Sequence, residues 1–448
     1  ANAQRRRKAS LEEDAYWEER HIAARKQLNV TSLPEVPAAT AKMRANNAID
    51  HFVNAELVAK ELSQSVGLED LMFLRKLSLD TVGTTPTLEQ IETYLADPLE
   101  ERRGLAIDRF LAMPGRADNW VGYWQDVLAE NPNIIKPTLN NTGPFRVWIH
   151  ESFYDNKPFD RFVTELVRME GSQEYGGPAG FAKATQNDAP MAAKAYVLGQ
   201  ALLGVNLKCA RCHDAPAHDF LQRDLFNVAA MLKRAPQKVP ESSSIPGFDF
   251  ENNSLIVEVT LKPGEVVEPS WPFASLVEEI AHNDGDSREA LAQLIVSPEN
   301  ERFAKIIVNR LWKRYLGMGF TEPVDDWNGQ PVLLPELLNY LAYVFVDSGY
   351  DIQAMERMIF ASDLYQRQAI VDWPTATIAG SKFRFESPVL RRMRAEQIVD
   401  SMFVACEKDF NAGQITLDID GALIPEAGFD LGFPHRAWEF TSLSNERD

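Results

Sequence analysis

Three cysteines in 448 residues are too few for a disulfide framework. There is also no hydrophobic run of the length needed to span a bilayer. The longest apolar pieces, IIVNRLW at 306–312 and YLAYVFV at 340–346, are interrupted by polar residues at helical spacing. Positive charge is scarce: Lys and Arg number 46 against 65 Asp and Glu, a net charge of −19. Phosphate binding needs a basic surface, so this balance argues against a nucleic-acid partner, and the acidic excess reads as a solubility feature. The chain has no Gly-rich phosphate loop, no G-x-S-x-G elbow and no H-E-x-x-H pair, which removes the chemistries those motifs carry. No fixed-period repeat is present, which argues against a solenoid.

What is there suits a well-packed protein. Apolar residues make up 45%, with nine Trp and 24 Phe, and the length calls for two or three domains. Residues 1–45 read as a helical lead-in and linker, with a basic cluster at Arg5-Arg6-Arg7-Lys8 and Pro-rich punctuation. Residues 46–238 carry helical periodicity throughout. Thr87 and Gln90 form a capping box, and NKPFDRFVTELVRM places Phe159, Phe162, Val163 and Leu166 on one face. Residues 239–272 change period. Leu255, Val257, Val259 and Leu261 alternate with Ile256, Glu258, Thr260 and Lys262, as in a strand of a small β connector. Residues 273–448 return to helical spacing, with a Gly stop at Gly317. The fold class is therefore mainly α.

The chemistry concentrates in Cys209-Ala210-Arg211-Cys212-His213, which uses two of the three cysteines within five residues. A c-type haem needs two thiols for its vinyl groups and an imidazole for its iron. Cysteines three apart on one helical face, followed by His, supply them. Lys208, Arg211 and Arg223 are available to the propionates or to solvent. The competing reading is a zinc knuckle built from Cys209, Cys212 and His213 or His218, with Asp214 or Asp219 as fourth ligand. Against it, no second Cys/His cluster exists. A thioredoxin-type redox pair lacks the strand-then-helix unit it requires. For the distal side of an iron, Met231 follows eighteen residues on, with Met191 and His218 as lesser candidates and an open position as a further option. Met231 reads more readily as a core residue at helical spacing. Elsewhere, Asn309 and Arg310 interrupt an apolar face and read as a buried polar contact. His150 reads as a satisfied core histidine, paired Asp325 and Asp326 as a turn, and Cys406 as a buried small hydrophobe.

Residues LRKLSLDTVGTTPTLEQIETYLAD, NKPFDRFV and LLGVNLKCARCHDAPAHDFLQRDLFNVAAML resemble the planctomycete cytochrome c domain family. Residues NERFAKIIVNRLWKRYLGMGFTEPVDDW, PELLNYLAYVFVDSGYDIQAMERMIF and RRMRAEQIVDSM resemble the companion domain of unknown function that follows it. Many members read CHDHPFD where this chain reads CHDAPAHDF, so the downstream His is shifted. The resemblance implies a multi-helix cytochrome-c-like domain, a small β connector and a second helical domain. It also implies one covalent haem c on Cys209, Cys212 and His213. The expectation is an exported or periplasmic monohaem cytochrome working with a redox partner protein, not membrane-spanning, and the ANAQ start agrees with export. The alternatives are a haem-dependent peroxidase or oxidase with an open distal site, and a non-catalytic scaffold whose motif holds zinc.

Overall fold

The computed structural model describes residues 11–28, 33–40, 42–128, 143–171, 177–183, 189–215, 219–243, 258–278, 285–369 and 383–410. The Arg5–Lys8 cluster, His218, Leu255, Ile256, Val257 and the irregular C-terminal segment lie outside them. The protein is mainly helical. In chain order the helices are α1 (Leu11–Leu28), α2 (Ala48–Ala59), α3 (Asp70–Thr81), α4 (Leu88–Ala96), α5 (Arg102–Leu111), α6 (Gly115–Val127), α7 (Gly143–Tyr154) and α8 (Phe159–Arg168). They continue with α9 (Pro190–Leu198), α10 (Gln222–Lys233), α11 (Ser287–Val296), α12 (Glu301–Leu316), α13 (Pro335–Asp347), α14 (Ile352–Ala361) and α15 (Ala395–Ala405).

Local sequence explains many of the ends. Helix α4 starts at the Thr87–Gln90 box: Thr87 Oγ1 accepts from the Gln90 amide at 3.2 Å, and Gln90 Oε1 accepts from the Thr87 amide at 2.9 Å. Proline begins α9 and α13, where its missing N–H has no helical acceptor to lose. Gly317 closes α12 in the left-handed conformation, as its sequence position predicts. Phe159, Phe162, Val163 and Leu166 are all buried, and Phe162 stacks on Trp148 at 4.6 Å between centroids.

One continuous core joins residues on both sides of the connector. Helix α8 packs on α11, α5 on α14, and α2 and α1 on α13. The lead-in helix α1 reaches this core. Trp17 and His21 are buried, His21 Nε2 meets Asp160 at 3.1 Å, and Arg25 Nε donates to the Asp347 carbonyl at 2.9 Å.

Buried polar groups line the seam between the two halves. The Asp50 carboxylate accepts the Asp363 and Leu364 amides at 2.8 and 2.9 Å. Glu356, fully buried, accepts from Arg116 Nε at 2.6 Å, Trp120 Nε1 at 3.0 Å and the Tyr315 hydroxyl. Asp80 accepts from Tyr365 at 2.9 Å and from Arg391 at 2.7 Å. A buried charge without such partners would be strongly unfavourable.

The connector differs from the expected strand. Residues 258–261 are described and are not a strand. The sheet instead pairs β1 (Gln237–Lys238) with β2 (Val266–Val267), antiparallel, with Gln237 opposite Val267. The Glu258 carbonyl accepts from Asp214, just after the CxxCH motif, and the Leu261 amide donates to the Gln222 side chain at the start of α10, instead of to a strand partner. Among the described residues no helix is long and apolar enough to cross a membrane.

Candidate functional site

Helix α9 delivers the chain to the motif. It runs into a π-helical turn, Gly199–Leu203, and stops at Gly204, whose φ of +59° lies in the left-handed region that favours glycine. The Val205 amide closes this turn on the Gly199 carbonyl at 3.0 Å. Asn206 Oδ1 then accepts the Lys208 amide at 3.1 Å, starting the next turn.

Cys209–Arg211 is a single 3₁₀ turn. The amides of Cys212 and His213 both reach back to the Cys209 carbonyl, at 3.1 and 3.3 Å. Ala210 is buried and anchors the turn, which packs against α10. Both thiols are free and exposed. Cys212 Sγ lies 3.8 Å from the Ser242 carbonyl, and Arg211 donates to Ser242 Oγ at 3.2 Å.

His213 is half-buried, and its Nδ1 lies 2.7 Å from the Asp214 carbonyl. A carbonyl only accepts, so Nδ1 carries the proton and Nε2 keeps a free lone pair in the neutral ring. Asp214 in turn fixes the following loop. Its amide donates to Glu258 O at 2.8 Å, and its Oδ1 accepts the Gln222 amide at 2.6 Å and Thr260 Oγ1 at 2.9 Å. That places a carboxylate at the N-terminus of α10, where the helix dipole favours it. Gln222, fully buried, extends the clamp. Its Oε1 accepts the Leu261 amide at 3.0 Å and its Nε2 donates to the Ser243 carbonyl. Burial pushes the nearby Asp224 carboxyl above its usual range. The Leu221 amide opposes that rise, and the Asp214 charge adds to it.

The second half of the chain supports the turn from behind. Arg310 is buried, and its Nε and Nη2 donate to the carbonyls of Ala201 and Gln200 at 2.9 and 3.0 Å. The Trp327 amide donates to Gly204 O at 2.9 Å. Asn206 Nδ2 reaches Asp326 at 3.4 Å. Asn309, also buried, accepts the Phe320 amide at 2.6 Å and holds the Gly319–Thr321 turn.

The structure thus brings Cys209, Cys212 and His213 onto one turn. Met231 sits in the hydrophobic core at 2% exposure, near the far end of α10. It is nine residues beyond Gln222, about 13 Å along the axis. Its carbonyl accepts from Ser287 Oγ at 2.7 Å. Met191 is half-buried against the same core, and Asp219 is exposed. Arg223 pairs with Glu265. His150 pairs with Asp118 at 3.0 Å. Cys406 is a correction: it is exposed at the C-terminal cap of α15, whose apolar residues Ile398, Val399 and Met402 are exposed as well. Sequence reasoning weighed Asp214 only as a metal ligand and did not single out Gln222. Asp214 lies eight positions before Gln222, the first residue of α10, so no adjacent capping pattern marks the pair.

Among the described residues, no group of three or more His, Cys, Asp or Glu is gathered as a metal site. The donor set does suit haem c. Two free, exposed thiols share the turn with an imidazole whose Nδ1 is held by the Asp214 carbonyl, which leaves Nε2 as the nitrogen for a metal, as thioether and iron bonds require. No curated protein and no solved structure matches the chain. Residues 48–237 match the family model described as PSCyt2, a protein of unknown function (DUF1549). Residues 287–415 match, in that order, the model described as PSD1, a protein of unknown function (DUF1553).

Proposed function

We propose that the protein is an exported c-type cytochrome with one haem, attached at Cys209 and Cys212 and ligated by His213, that exchanges electrons with a redox partner protein. The observation that carries this reading is the single turn on which both free thiols are exposed while the His213 ring is held by Asp214. The name of the first family model, PSCyt2, points the same way. Each thiol would add across one vinyl group, sulfur to one carbon and proton to the other, so no external oxidant is consumed. His213 would present Nε2 to the iron, while the Nδ1–H bond to the Asp214 carbonyl fixes the ring and raises its basicity. Bound haem supplies a one-electron iron couple whose potential depends on axial ligand and burial. Covalent attachment takes place on the oxidising side of the membrane, so export belongs to the same proposal.

A pyridine haemochrome spectrum, run beside a thiol-alkylation control, tests it. An α-band with Cys209 and Cys212 blocked to alkylation supports attachment. No α-band and two free thiols would sink the haem reading, and equimolar zinc would replace it with a structural knuckle. In haem-loaded protein, a Met–iron charge-transfer band lost in Met231→Ala would identify the distal ligand. High-spin iron that binds cyanide at once would point to catalysis at an open face.

A further inference from the structure

We infer that the companion segment clamps the attachment turn through Arg310, Trp327 and Asp326, so that loading at Cys209 and Cys212 depends on residues far downstream. The consequence for loading rests on the haem reading; the clamp itself does not.

The last carbonyls of a helix have no partner within it. At the end of α9 and its π-turn, the carbonyls of Gln200 and Ala201 are met by one guanidinium, that of Arg310, from 110 and 109 positions away. Arginine's planar fork bridges two acceptors at once; an ammonium acts as a single point charge. The next residues are held the same way. The Trp327 amide takes the Gly204 carbonyl at 2.9 Å, and Asp326 meets Asn206 from 120 positions away. Asn206 is the residue whose side chain caps the Lys208 amide and so starts the motif turn.

Gly204 shows how close this approach is. A Cβ there would lie 2.5 Å from Ile306 Cδ1 and 2.8 Å from Trp327 Cδ1. The backbone at Gly204 therefore rests directly on α12 and the turn after it. Arg310, Ile306 and Trp327 touch the approach to the motif and not the thiols or the imidazole. They are positioning residues. With them in place, the join between α9 and Cys209 is held at both carbonyl and side-chain level.

Amide hydrogen exchange on the full chain tests the clamp. In Arg310→Met, the amides of Val205, Cys212 and His213 should exchange at least tenfold faster, while those inside α3 and α6 keep their rates. Arg310→Lys should recover part of the protection, since it restores charge without the fork. Should Arg310→Met fail to fold, Asp326→Ala makes the same reading through Asn206, with Lys208 as the reporting amide. Unchanged exchange at these amides in a folded variant would overturn the clamp. The second arm measures haemochrome per chain. A wild type without haem removes the haem reading and leaves the clamp to be judged on exchange alone. A wild type with haem, and a loosened variant loaded to the same level, would overturn the dependence of loading on the clamp. Loading reduced severalfold in that variant is the expected result.

Discussion

The seam between the two halves and the CxxCH turn are built on opposite plans. At the seam, charges are buried and each carboxylate has several partners, as with Glu356, which meets Arg116, Trp120 and Tyr315. At the turn, the reactive groups are left open and the backbone beneath them is pinned. Cys209 and Cys212 are exposed, while Ala210, Gln222 and Arg310 are buried. The electrostatics differ accordingly. Burial pushes the Tyr315 and Tyr365 hydroxyls well above their usual range, with the charges of Glu356 and Asp80 adding to the effect. Burial also brings the Lys76 amine well below its ordinary value although Asp80 opposes this, and its Nζ sits 2.9 Å from the centre of the Tyr365 ring. The seam thus carries interactions that desolvation makes strong, and the turn leaves its two thiols exposed to solvent.

The largest test of this contrast is Glu356→Ala. It leaves the buried Arg116 without its carboxylate and should cost about 3–5 kcal/mol in denaturant unfolding. A loss below about 1 kcal/mol would mean the seam is not what holds the halves together.

Next in size is Asp80→Asn. Burial alone would raise the Asp80 carboxyl, but the charges of Arg391 and Lys76 and the hydrogen bonds from Arg391 and Tyr365 outweigh it, and the net shift is downward from 3.8. A carboxylate with a lowered folded pKa contributes stability that is complete above its unfolded value. That contribution is lost as pH falls through the folded value. Unfolding midpoints between pH 7 and pH 2 should therefore fall more steeply below about pH 4 in the wild type than in Asp80→Asn. Parallel curves would remove Asp80 from the acid sensitivity of the seam.

Asp214→Ala should cost less, about 1–2 kcal/mol, because it removes a helix N-terminal acceptor from a partly open loop. It should also speed alkylation of Cys212 in haem-free protein. Unchanged thiol reactivity would show that the loop does not order the turn. Cys406→Ser sets the floor. The side chain is exposed, so the unfolding midpoint should move by less than the equivalent of about 0.5 kcal/mol.

Much of the helical framework was legible because its signals are local. The Thr87–Gln90 box, the prolines starting α9 and α13, and the apolar face of Phe159, Phe162, Val163 and Leu166 all depend on residues within a few positions of each other. The buried polar reading of Asn309 and Arg310 also stands, since polar residues inside an apolar stripe need partners. What those partners are was not legible. Arg310 bonds to carbonyls, which no side-chain pattern announces. The alternation at Leu255–Lys262 failed as a strand signal across its described part for a related reason. Glu258 and Leu261 satisfy their backbone on Asp214 and Gln222, and period-two spacing alone does not say which partner an extended chain meets. Cys406 was misplaced because α15 buries Glu396, Asp400 and Ser401 while Ile398, Val399 and Met402 stay exposed, so its apolar spacing does not mark the buried side.

The span of the seam contacts has a consequence for how the molecule comes into being. Asp50 waits for amides 313 and 314 positions later, Asp80 for an arginine 311 later, and Arg116 for a carboxylate 240 later. A chain made from its N-terminus therefore exposes acidic and basic groups long before their counterparts exist, and closing such long loops is slow. The N-terminal half reaches its final form only when α14 and the residues around Arg391 arrive, so tertiary closure itself certifies that the polypeptide has been made through to that point.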